Sequence, residues 1–168
     1  MADPQQLAML KNNISHWNQW REKNIDKSID LTFAPLDETD LSGANLIDAN
    51  LSKAYLTGAN LSRANLTKAN LTGAYLINAC LLKANLTGAN LTGANLIKIN
   101  LSQANLAYAN FTGTELMRAN LSAANLYHTN FTGSELSEAD LSLTNLNQAN
   151  LTGANFWGAI VSAENPEE

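Results

Sequence analysis

A chain of 168 residues suits one domain, and its single cysteine excludes an intramolecular disulfide framework. Its net charge of −5 sits mostly outside the central repeat, and no apolar run approaches the ~20 residues of a membrane span. The N-terminus lacks a basic region followed by a long apolar stretch, so the expectation is a cytoplasmic protein with no membrane partner.

Asp3-Pro4-Gln5-Gln6 reads as a helix start. Asp3 is the N-cap, Pro4 takes the first helical position, and Gln6 can reach back as in a capping box. Leu7, Leu10, Ile14, Trp17 and Trp20 then recur at spacings of three and four, one stripe of a helix over residues 4–23. Such a stripe needs an apolar surface, and the open first coil of the following repeat supplies one. Asn24 to Asp30 is a polar connection. Residues 1–30 are thus a capping helix with its connection, 31–161 the repeat, and 162–168 an acidic, disordered tail.

From Leu31 to Phe156, Leu or Phe returns at every fifth residue, with Ala usually two places earlier and Asn or Asp between them. A step of five turns a helical side chain by about 140°, and on a straight strand it alternates faces. Neither geometry buries one face, so the chain bends within every pentad and turns Ala and Leu inward. Gly73, Gly93, Gly113, Gly133 and Gly153 recur every twenty residues, as do Thr72, Thr92, Thr112, Thr132 and Thr152. Twenty residues are four pentads, which predicts a four-sided coil with neighbouring coils ~4.8 Å apart. The structural core is predicted to include Leu46, Leu66, Leu86, Leu106, Leu126, Phe111, Phe131, Ala64 and Ala84. Pro35 stands where Asn is usual, which agrees with an end coil because proline lacks an N–H to donate.

The pattern in Ala44-Asn45-Leu46, Ala64-Asn65-Leu66 and Ala139-Asp140-Leu141 resembles the pentapeptide-repeat proteins. The resemblance implies a right-handed quadrilateral β-helix with Leu, Phe and Ala inward, that is, an all-β solenoid under an N-terminal α-helical cap. The general right-handedness of crossovers agrees.

Asn is a poor strand residue and a good turn residue, able to bond nearby backbone. Departures from it are more informative. Tyr55 and Tyr75 replace it twenty residues apart and should stack, and Cys80 replaces it on the next face as a small filler. Ile77, Ile97 and Met117 are expected to form one exposed apolar column, flanked by Lys98 and Arg118, with Tyr108, Tyr127 and His128 on another face. These residues are the candidate interaction surface. Glu115 and Glu135 should stack near 5 Å apart, with Lys98 and Arg118 to balance them. Inside, Ile99 replaces an inward Ala, and Thr114, Thr129, Ser134 and Thr144 are polar substitutes whose hydroxyls can bond carbonyls near a corner.

The final coil ends at Phe156-Trp157-Gly158-Ala159-Ile160-Val161. No further helix covers it, so a homodimer through the C-terminal coil is an expectation. No catalytic, metal or cofactor-binding residues emerge. His16 and His128 lack zinc-ligand spacing, and the glycines follow the twenty-residue geometry instead of a phosphate loop.

Three functions fit in descending order. The first is a non-catalytic protein-binding scaffold, with a regulatory role and a partner the sequence does not name. The second, implied by the resemblance, is a DNA mimic acting on a type II topoisomerase. Eight carboxylates against six cations between Leu31 and Ile160 argue against that reading, since a duplex carries one charge per ~1.7 Å. The third is ice binding through the threonine column. No nucleic-acid partner is expected.

Overall fold

The computed structural model describes residues 1–161, so the expectation of a disordered tail over 162–168 lies outside the described residues. The unit of the fold is a pentad whose five N–H groups are all committed. In Asn70-Leu71-Thr72-Gly73-Ala74, the Asn70 N–H donates to Ala49 O of the coil before, at 2.9 Å. The Leu71 and Gly73 N–H groups donate to Asn90 O and Thr92 O of the coil after, at 2.7 and 3.0 Å. Ala74 N–H closes a β-turn onto Leu71 O at 2.9 Å, and Thr72 N–H goes to the Asn70 side chain at 3.1 Å. The asparagine is thus the acceptor for the one donor that no neighbouring backbone group reaches, which is why a poor strand former recurs at this position.

The turn puts its third residue at positive φ. Lys53 and Arg63 sit at 56° and 58°, and all nine glycines of the chain occupy this position. A left-handed residue costs roughly 1–2 kcal/mol without glycine, so each non-glycine turn draws on the bonds around it. The glycines therefore serve bends. Because the chain turns every five residues, each side of a coil holds one bridging residue, and the bridges stay isolated instead of lengthening into strands.

Each bridge is parallel and joins residues twenty apart, as in Asn45 with Asn65 and Asn65 with Asn85. The coil is therefore twenty residues with four bridging positions. We call its sides first to fourth, for bridging residues in the series of Asn50, Tyr55, Asn60 and Asn65. The inward ladder is apolar: Leu46, Leu66, Leu86, Leu106, Leu126, Phe111, Phe131, Ala64 and Ala84 are all buried. Phe111 stacks on Phe131 at 5.1 Å between centroids. Ile99 is accommodated at 1% exposure. Thr114, Ser134 and Thr144 each donate to the carbonyl three residues back, at 2.8, 2.8 and 2.6 Å, while Thr129 donates to Leu106 O of the coil before, at 2.8 Å.

The N-terminal stripe forms two helices where the spacing predicts one. Helix α1 spans Pro4–Asn12 and α2 spans Ile14–Lys23. Asn13 separates them in an extended conformation, because its side chain takes the His16 N–H and starts a second helix instead of continuing the first. Asp3 caps α1 through the N–H groups of Gln5 and Gln6, as the sequence suggests. Gln6 does not return to Asp3; it donates to Ser28 O and accepts from Asp30 N–H, tying down the connection.

The helices finish the open edge of the first coil. Leu10 and Trp17 are fully buried against it. Trp17 Nε1–H donates to Asn45 O at 2.9 Å, Asn18 bonds both Asn45 N–H and Gly43 O, and Lys11 reaches Pro35 O. Pro35 sits on this edge, where its missing N–H has no coil to face. Arg21 was not legible as a core residue, yet it is 5% exposed. Its guanidinium donates to Ile47 O at 2.9 Å and Lys27 O at 3.3 Å, while its Nε has no partner. Burial pulls its pKa down, and nearby Asp48 pushes it back up.

Candidate interaction surface

The second side of the coil carries the densest set of departures from the repeat. Tyr55 and Tyr75 stack nearly parallel, with centroids 5.4 Å apart and a 6° interplanar angle. They hold bridging positions, so Ile77, two residues beyond Tyr75, lies on the same side. Ile77, Ile97 and Met117 follow at twenty-residue intervals. Only Met117 is exposed; Ile77 and Ile97 are half-buried, because neighbouring coils cover much of each side chain. The expected exposed column is therefore a shallow ridge, extended by the two stacked tyrosines.

The tyrosines come at a cost in bonding. Where Asn would have accepted the N–H two residues on, Tyr55 leaves Thr57 N–H to Asp37, at 3.1 Å. Tyr75 leaves Ile77 N–H without the side-chain acceptor found in the Asn pentads.

Beside the ridge, a groove of about 280 Å³ is lined by Ile97, Lys98, Met117, Arg118, Ser137 and Glu138. Arg118 pairs with Glu138 one coil on, Nε to Oε2 at 2.8 Å, and not with Glu115 or Glu135. The pair raises the Arg118 pKa and holds Glu138 below its usual value. Glu115 and Glu135 bridge as expected, but amides balance them: Asn95 donates to Glu115 at 2.6 Å, and Asn155 to both oxygens of Glu135 at 2.9 Å. Hydrogen bonds from Ser137 and then Asn155 hold the Glu135 pKa down.

Tyr108, Tyr127 and His128 come together on the fourth side. His128 lies 4.3 Å from Tyr127 and 5.5 Å from Tyr108, with the two tyrosines edge to face at 5.4 Å. Both tyrosines are exposed. This cluster is separate from the ridge. Cys80 is half-buried beside Ser62, at 3.2 Å, and fills an Asn position.

The threonine column is internally engaged. Thr72, Thr92, Thr112, Thr132 and Thr152 each donate their hydroxyl to the Asn two residues before, at 2.6–2.7 Å. Four of them also accept from an Asn of the next coil, at 3.0–3.1 Å. The array seals the first side and offers no spare hydroxyl hydrogens to ordered water. Carboxylates gather in the first coil, at Asp37, Glu38, Asp40 and Asp48, and later at Glu115, Glu135 and Glu138 on the second side and Asp140 on the third, with no continuous acidic face. Among the described residues no cluster of His, Cys, Asp and Glu could hold a metal, and no helix is long and apolar enough to cross a membrane.

The chain belongs to the pentapeptide-repeat family: the family described as Pentapeptide repeats (8 copies) matches in overlapping segments from residue 28 to 158. Among solved structures it is similar to HetL, a pentapeptide repeat protein involved in heterocyst differentiation regulation from the cyanobacterium Nostoc sp. strain PCC 7120. That similarity is 34% identity over 80% of this chain and 70% of HetL, with a TM-score of 0.55. QnrB1, a plasmid-mediated fluoroquinolone resistance protein, shares the fold at 23% identity, over 80% of this chain and 78% of that one, with a TM-score of 0.53. No curated protein sequence matches.

Proposed function

We propose that this protein is a non-catalytic scaffold, a right-handed solenoid whose second side docks a protein partner in a regulatory process. The observation that carries this reading is the ridge of Tyr55, Tyr75, Ile77, Ile97 and Met117 on one side, whose two tyrosines stand where the chain gives up the Asn bond that serves most other pentads. Aromatic and aliphatic side chains with a charged rim are the composition of binding hot spots. Here Lys98 and the Arg118–Glu138 pair supply the rim. The likeness to HetL supports a regulatory role, since a regulatory involvement is what that protein's description states.

The final coil supports a second contact, with another copy of the chain. Leu146, Leu151 and Phe156 are only half-buried there, and Trp157 and Ile160 are 72% and 59% exposed. Sedimentation over a concentration series reads that contact, and a monomer throughout removes it.

The test of the main reading is affinity capture with the intact protein, set against the double variant Ile97→Ser/Met117→Ser and the single variant Tyr75→Asn. Both should keep the melting transition within a few degrees, since the altered side chains are outward. A specific partner lost with both variants supports the scaffold. A partner held equally by all three proteins removes the second side from the reading.

A further inference from the structure

On the second side, single pentads lay three kinds of side chain across one face. In Glu115-Leu116-Met117-Arg118, Leu116 is buried, Glu115 holds the bridging edge, Met117 the middle, and Arg118 the turn edge at a φ of 57°. All three outward residues are exposed. The coil before repeats the order with Asn95, Ile97 and Lys98, and the one before that with Tyr75, Ile77 and Asn78. Trp157, 72% exposed, carries the middle column into the final coil. The face is thus acidic along one edge at Glu115 and Glu135, apolar along its middle, and basic along the other edge at Lys98 and Arg118. These charges have capacity to spare. Glu115 takes one bond at Oε2, from Asn95, and Arg118 commits Nε and Nη2 to Glu138, so its Nη1 has no partner among the described residues. Lys98 makes no ion pair among the described residues.

Such a face is its own complement under one operation. A two-fold axis running along the rod, over the middle column, exchanges the two edges, so the bridging edge of one copy meets the turn edge of the other at the same coil. Glu115 of each copy then faces Arg118 of the other. Ile77, Ile97, Met117 and Trp157 each meet their own equivalents. The rings of Tyr55 and Tyr75 fall opposite Gly58, which has no side chain, and the short Asn78. Glu135 falls opposite Glu138, a carboxylate that Arg118 of its own copy already neutralises. An antiparallel pairing would keep each edge on its own kind and would not bring Glu115 to Arg118. We propose that the second side takes a second copy of this chain, parallel and side by side, with Arg118 held between its own Glu138 and the other copy's Glu115. This occupant presupposes the second side as an interaction face, and the contact is distinct from one at the final coil. Coils ~4.8 Å apart and a face about 10 Å wide keep the buried total below about 1,200 Å², the range of weak, reversible association. The pair therefore forms at high concentration and hides the ridge from other proteins, while dilution exposes it.

The experiment mixes two full-length variants. Sedimentation equilibrium of the unaltered chain should show a reversible monomer–dimer step between about 10 µM and about 1 mM, weakened by added salt. Glu115→Arg alone sets cation against cation, and Arg118→Glu alone sets carboxylate against carboxylate, so each should raise the dissociation constant at least about tenfold. Mixed in equal amounts, the two variants regain both opposite-charge pairs and should associate at least about tenfold more tightly than either alone. Only the parallel side-by-side pair brings that recovery, and recovery shows that both variants are folded. A monomer at every concentration would overturn the proposal, as would a mixture no better than its components. Single variants that associate like the unaltered chain would also overturn it and place the association at the final coil. The capture experiment reads the ridge separately: a foreign protein lost with Ile97→Ser/Met117→Ser, with no dimer at any concentration, would keep the ridge and remove the second copy.

Discussion

Asn110 takes the backbone N–H of Thr112 at 3.1 Å and the hydroxyl of the same residue at 2.6 Å, while its amide donates to Thr92 of the coil before at 3.1 Å. One side chain thus closes one turn and, through Thr92 before it and Asn130 after it, joins three coils. Asn110→Ala removes these three bonds and a fourth, from Asn130 Nδ2 at 3.3 Å, and leaves a half-buried N–H unpaired, which should cost about 1–3 kcal/mol. Asn110→Asp keeps the acceptor and loses only the donor, so its cost should be smaller. Chemical denaturation of the two variants in parallel checks the order; equal losses would mean that the Thr112 bonds contribute little.

The cap should control association as well as stability. Trp17→Phe keeps the buried ring but leaves Asn45 O without its donor, for a loss of about 0.5–1.5 kcal/mol. Trp17→Ala also opens a cavity and should cost about 3–5 kcal/mol. Exposing the first-coil edge should raise light scattering for the alanine variant under conditions where the phenylalanine variant stays clear. A clear alanine variant would show that α1 alone covers the edge.

Phe111 and Phe131 stack on each other inside a ladder that is mostly Leu and Ala. Phe131→Leu restores the repeat but leaves a gap over Phe111, so it should destabilise by about 1–3 kcal/mol despite matching the common residue. The double variant with Phe111→Leu should cost less than the sum of the two single variants, because the pair couples. A double-mutant cycle in urea reads the coupling, and strict additivity would dissociate the two rings energetically.

Acid should weaken the fold through carboxylates held below their usual pKa. Thr32 does this for Asp30, Ser42 for Asp40, Ser137 for Glu135 and Arg118 for Glu138. A depressed carboxylate stabilises the folded state fully above its unfolded pKa, and the gain is lost as the pH falls through the folded value. The melting temperature should therefore be flat near neutrality and fall below about pH 4.5. Arg118→Gln should move the Glu138 titration upward in a carbon-detected NMR titration while leaving that of Asp40 in place.

The coil length, the inward ladder and the role of Asn were legible because each depends on spacing alone. Leu66 and Leu86 are buried one coil apart because the period of twenty permits nothing else. What depended on competition between local bonds was less legible. Asn13 could extend a helix or start one, and its side chain decides for the second. Arg118 is expected beside Glu115 and Glu135, yet Glu138, twenty residues on, sits directly over it and takes the pair. The Tyr75 and Ile77 columns share a side because their positions differ by two within one pentad, a relation present in the numbering that column-wise reading passes over. The missing bridge between Asn125 and Asn145 has no signature in the repeat: Asn145 and Leu146 match it as well as their neighbours do.

Because adjacent pentads are so alike, the chain could be threaded onto itself five residues out of step with every Leu still inward. Nothing in the aliphatic interior distinguishes the two windings. The contacts that tell them apart are few: Trp17 and Asn18 on Asn45, Pro35 on the bottom edge, Tyr55 over Tyr75, and Phe111 over Phe131. The N-terminal helices, bonded to Asn45 and Pro35 of the first coil, therefore act as the starting thread of a screw, fixing the pitch-mate of each residue. Every vertical file of outward side chains is aligned by that one choice.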